Sequence, residues 1–135
     1  MSSMVTDWNI YQNFKANEFT CRCGCGTNRV SKILVDKLQQ ARTAAGIPFI
    51  INSACRCPNH NRSVSNSTAS DHIADSNNLC FGVDIMCIES RSRFTIYRAL
   101  MQVGLNRFGF HDRFIHVGMG RRLGGRMDDD VMWSY

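Results

Sequence analysis

No run of this 135-residue chain is apolar for long enough to cross a membrane, which takes about 20 consecutive residues. The first thirty residues, from Met1-Ser2-Ser3-Met4 onward, lack the basic segment and apolar run of a secretory signal. A product made in the cytoplasm is expected, needing a separate carrier if its target lies outside the membrane. Internal repeats and a convincing linker are also missing, so one domain, acting as a monomer, is expected over 1–135. Arginine-rich segments interleaved with stacking aromatics, the marks of a nucleic-acid groove, are absent, and no nucleic-acid partner is expected.

What the chain does hold is positive charge and cysteine. The net charge is +5 and the pI about 9.0, which favours anionic surfaces such as a cell-wall polymer. The charge is spread out, except near Arg121, Arg122 and Arg126. Seven cysteines cannot all pair within one chain, and a reducing compartment argues against a disulfide framework. Three of them alternate in Cys21-Arg22-Cys23-Gly24-Cys25-Gly26, which is not a standard zinc-ribbon spacing. Two could join Cys55 or Cys57 in a structural metal site or a disulfide; free thiols in a tight loop are the alternative.

Residues 1–29 read as irregular, with Phe14 and Phe19 as anchors. Ile33, Leu34, Leu38 and Ala41 follow the helical repeat, with Ser31 as cap and Gly46-Ile47-Pro48 as stop. Phe49-Ile50-Ile51 predicts a short strand, and the Asn- and Ser-rich run 52–78 a long loop containing Arg56, His60, Ser70 and His72. A strand follows over 79–88, then a helix capped by Ser90 and stopped at Gly104. Two strands, 107–111 and 113–118, are joined by a turn at His111-Asp112. The tail from Gly120 reads as surface, with Trp133 packing back.

Two residues stand out against this background. Asp84 interrupts the apolar run Phe81-Gly82-Val83-Asp84-Ile85, and His116 interrupts Phe114-Ile115-His116-Val117. Aspartate is a poor strand former, and an isolated buried carboxylate costs several kcal/mol. Strand alternation puts Asp84 on the face of Gly82 and Met86, and His116 on the face of Phe114 and Gly118. With His72 from the loop, neighbouring strands would assemble three ligands and one open position, the pattern of a catalytic zinc site. The structural alternative is a hydrogen-bonded core histidine and an edge or turn aspartate.

Taken in order, Glu18-Phe19-Thr20-Cys21, Ile51 to Asn61, Ser70-Asp71-His72, Gly82-Val83-Asp84-Ile85 and Phe114-Ile115-His116-Val117 resemble the M15 zinc peptidases. The likeness is to the small D-alanyl-D-alanine carboxypeptidase-like members of phages and bacteria, and it covers about residues 14–120. It implies an α+β fold of the hedgehog/DD-peptidase type, a small antiparallel sheet with flanking helices. It implies Zn2+ held by His72, Asp84 and His116, with a peptidoglycan peptide as substrate. Arg56 is implied as the group that binds the substrate's carboxylate or carbonyl, and Ser70 as support for His72 or the substrate.

The chain departs from that pattern in three places. Eleven residues separate His72 from Asp84, more than usual, which an insertion around 75–78 explains and which makes Asp75 a rival ligand. Ala54-Cys55 replaces the tyrosine of the arginine motif. Most consequentially, relatives commonly read His-Val-Asp where this chain reads His116-Val117-Gly118, and others carry an acid three residues before the histidine, here Arg113. Hydrolysis needs a base for the water proton. The replacements are Asp112, with His111 beside it; Glu89 is a weaker one. The expected activity is zinc-dependent cleavage of peptidoglycan stems or cross-bridges next to D-alanine. The rivals are an inactive zinc-bound binding module, favoured by Gly118, and a cysteine-zinc protein contacting nucleic acid.

Overall fold

Strands that alternate ligand and aliphatic residues can bury one face in a core and offer the other to a cleft, and this chain does so. The computed structural model describes residues 3–67 and 69–135. Five strands, β1 (Ile50–Ser53), β2 (Gly82–Met86), β3 (Arg107–Phe110), β4 (Phe114–Gly118) and β5 (Val131–Ser134), form one open sheet in the order β1-β2-β4-β3-β5. All neighbours run antiparallel except β3 and β5. With the helices α1 (Lys32–Ala45), α2 (Pro58–Val64) and α3 (Ser90–Gln102), the fold is α+β.

One sheet face carries Ile51, Val83, Ile85, Phe108, Ile115 and Val117, all buried. Leu34, Val35, Leu38 and Ala41 of α1 and Ile96, Ala99 and Leu100 of α3 join the same apolar cluster. Phe14 and Phe19 from the irregular start are buried there too, their rings edge to face. Ser31 caps α1 by accepting the Leu34 amide, and Gly46 ends it at φ 69°, a left-handed turn that favours glycine. Ser90 does not cap α3. The cap is Glu89, whose carboxylate accepts the Arg91 and Ser92 amides, which occupies the weaker of the carboxylates considered as a base.

Two elements differ from the sequence expectation. The run 52–78 contains α2, whose cap is Cys57, its sulfur accepting the His60 amide. Only Asn61 of this helix is buried, so no apolar repeat announced it. The tail holds β5, paired in parallel with β3 and directly opposite Gly109 at Trp133.

Candidate metal centre

The second sheet face builds the site. Asp84 and His116 are direct partners across β2 and β4, so their side chains emerge side by side. His72 arrives from the loop between α2 and β2. A bridge between Arg56 and Ile73 pins that loop, with the Arg56 amide donating to the His72 carbonyl at 2.8 Å. Arg126 of the tail clamps it from outside, donating to the carbonyls of Ser70, Ile73 and Leu79. Ser70 Oγ accepts the His72 amide at 3.2 Å.

Three donor atoms converge. His72 Nε2 lies 3.1 Å and His116 Nδ1 2.9 Å from Asp84 Oδ1, and the two nitrogens are 3.2 Å apart. The residues are between 3% and 4% exposed. The far nitrogen of each ring fixes its tautomer: His72 Nδ1–H donates to the Ala54 carbonyl at 2.7 Å, and His116 Nε2–H donates to Asp71 Oδ2 at 2.9 Å. The inward atoms are then all lone-pair bearers about 3 Å apart, which repel unless a cation sits between them. Tetrahedral zinc with bonds of about 2.0–2.1 Å places its ligands roughly 3.3 Å apart. The donor set therefore fits a metal ion, and the outer carbonyl and carboxylate are the supports that ligating histidines usually have.

A proton can meet the same demand. Burial lowers the His116 pKa, but its hydrogen bonds to Asp71 and Asp84 prevail and raise it to about 9. Burial raises Asp84, yet His72 and His116 hold it below the ordinary carboxylate range. His72 is lowered, chiefly by burial. A cation in the centre competes with the His116 proton, as metal and proton do at any imidazole ligand.

Asp71 was not singled out by the sequence. Its carboxylate bridges His116 and Arg107, whose Nε donates to Oδ2 at 3.0 Å, while Oδ1 is buried without a partner among the described residues. It occupies a niche made by two glycines paired across the strands, Gly82 and Gly118. A β-carbon on Gly118 would lie 2.6 Å from Asp71 Oδ2, and one on Gly82 2.6 Å from Asp71 Cβ. A carboxylate at position 118 would therefore contest the space that Asp71 fills. The signal was present: both glycines share the ligand face of their strands.

Around the centre lies a cleft of about 760 Å³, lined among others by Arg22, Arg56, Ser70, Arg107, His111, Trp133 and Tyr135. Arg56 Nη2 is 3.5 Å from Asp84 Oδ2, with Nε on Ser53 Oγ and Nη1 on Asn61 Oδ1. The Trp133 indole lies over Gly109, 5.4 Å from the His116 ring. His111 stacks on Phe114 at 4.5 Å, and its Nδ1 accepts the Arg113 amide. Asp112 is exposed and is not among the cleft-lining residues. Asp75 closes a turn by accepting the Asn77 and Asn78 amides, away from the ligand atoms.

Residues 12–118 match the family model for Peptidase M15. The chain belongs to the M15 peptidase family. The match spans the fold from the irregular start to the end of β4, taking in His72, Asp84 and His116. β5, whose Trp133 lines the cleft, lies beyond the matched span. A comparison with curated proteins returned no match.

Proposed function

We propose that this M15 peptidase is a zinc enzyme that hydrolyses peptide bonds of peptidoglycan stems or cross-bridges beside D-alanine. The observation carrying the reading is the trio of inward lone pairs at His72 Nε2, Asp84 Oδ1 and His116 Nδ1, each ring held by an outer partner. The chemistry supplied by zinc, when bound, is polarisation of a carbonyl and acidification of a water.

The chain's own residues do the rest. Asp71 holds the His116 Nε2 proton and keeps the ring in its ligating tautomer. Arg56, oriented by Ser53 and Asn61, presents its remaining N–H groups to a substrate carboxylate or carbonyl, a contact that suits a planar fork. Ser70 fixes the His72 backbone. Trp133 and Tyr135 wall the cleft. With His111 Nδ1 occupied as an acceptor, Nε2 is the ring atom that donates to the developing oxyanion or leaving amine in this reading. Asp112, beside it in the β3–β4 turn, is the base of this reading and must swing into the cleft when substrate binds.

A second reading has one observation behind it. The carboxylates that line the cleft, Asp71 and Asp84, are both committed to histidines and arginines. A chain that holds zinc and binds cell wall without cutting it fits that arrangement. Purified peptidoglycan incubated with the protein, with and without a chelator, and analysed by mass separates the two. Chelator-sensitive release of peptide or D-alanine supports the enzyme; binding without any product supports the module.

A further inference from the structure

We infer that Cys21, Cys23, Cys25 and Cys57 form a second, structural metal site, a tetrathiolate that takes zinc. Alternation in the sequence argued against these thiols sharing an ion, and the backbone removes that objection. Gly24 and Gly26 sit at φ 89° and 84°, a left-handed conformation open to glycine, and they fold the turn on itself. The Cys21 amide closes it by donating to the Thr27 carbonyl at 2.8 Å. All four sulfurs come within 4.8 Å of one another. Cys21 and Cys23 are separated by 3.5 Å and Cys23 and Cys57 by 3.7 Å. Zinc–sulfur bonds of about 2.3 Å in a tetrahedron put sulfurs roughly 3.8 Å apart.

Backbone amides point at the sulfurs as they do at thiolates. The Cys57 amide donates to Cys21 Sγ, the His60 amide to Cys57 Sγ and the Thr27 amide to Cys25 Sγ, at 3.4 to 3.5 Å. A soft, all-sulfur donor set selects zinc over calcium or magnesium, and four protein ligands leave no open position, so the role is structural. On binding, the four thiols release their protons and the ion takes four thiolates, so assembly is pH-dependent. The ion ties the irregular start of the chain to the first turn of α2, next to Arg56. Cys55, Cys80 and Cys87 are buried elsewhere and stay out of it.

Cobalt(II) reports this site without reference to activity, because thiolate ligands give an intense near-ultraviolet charge-transfer band that imidazole and carboxylate do not. Reduced wild-type protein loaded with Co(II) should show that band, and His116→Ala should keep it in full. Cys23→Ser with Cys25→Ser, both exposed positions, should abolish it, while Cys87→Ala retains it. Elemental analysis of zinc-loaded protein should fall by one ion in the double serine variant and by a different one in His116→Ala. No band in reduced wild type overturns the inference, as does an intact mass showing a disulfide among these cysteines in fully folded, zinc-loaded protein. The wild-type and His116→Ala spectra decide the question even if the serine variants fail to fold. Failure of the His72–Asp84–His116 assignment would leave the band untouched.

Discussion

At the His72–Asp84–His116 centre, two of three donors face each other across hydrogen-bonded strands and both histidines have outer partners. At the cysteine cluster, three of four donors come from one glycine-bent turn, and Cys23 and Cys25 are exposed. The first cluster owes its geometry to a sheet that buries an apolar face regardless of any ion. The second has little but backbone amides to hold its sulfurs together, so an ion there contributes to folding itself. The proposed catalytic centre and the proposed structural one thus differ in what positions their donors.

The strongest way to break that comparison is His116→Ala. It should abolish peptidoglycan hydrolysis and the metal of the sheet centre, leave the cysteine-bound ion, and preserve cooperative unfolding; full zinc occupancy by elemental analysis would remove His116 from the ligand set. Next in size is Asp112→Asn, which tests whether a turn residue completes a centre whose donors come from β2, β4 and the loop before β2. Turnover on a peptidoglycan fragment should fall by about two to four decades, the usual loss with a general base. Unchanged turnover would exclude Asp112 and leave His111 as the proton-handling group of the turn.

A smaller effect is expected where the relatives' acid is restored. Gly118→Asp puts a second carboxylate into the niche that Asp71 fills, so it should lower stability by about 1–3 kcal/mol, as overpacking does, and weaken zinc binding. Adding Asp71→Gly should recover most of the loss in a thermal-unfolding double-mutant cycle; strictly additive losses would mean that the two positions share no space. Arg56→Lys keeps the charge and loses the fork, so kcat/KM should drop about tenfold with zinc content unchanged. Wild-type kinetics would rule out the two-pronged contact. The mildest change concerns the cysteine turn: a chelator should speed tryptic cleavage after exposed Arg22 while the sheet stays protected, and equal rates with and without chelator would show that the turn needs no ion.

The parts legible in sequence were those where a residue contradicted its surroundings. Asp84 and His116 break apolar strands, and α1 and β4 announce themselves by period. α2 did not, because a seven-residue helix with one buried side chain has no apolar stripe. β5 follows Asp128-Asp129-Asp130 and its exposures alternate only between partial and full, so it looked like surface. Asp71 looked like one more polar loop residue, since its partners His116 and Arg107 lie 45 and 36 residues away. The cysteine turn was legible as a tight loop with two thiols free to join Cys55 or Cys57, but not as one gathering three, because its closure depends on two positive φ angles that spacing does not reveal.

The niche over Gly82 and Gly118 has room for one carboxylate, whether it descends from the loop or rises from the strand. Positions 71 and 118 are therefore not free to drift singly. Across M15 sequences the two positions should covary, with an acid at either and seldom at both.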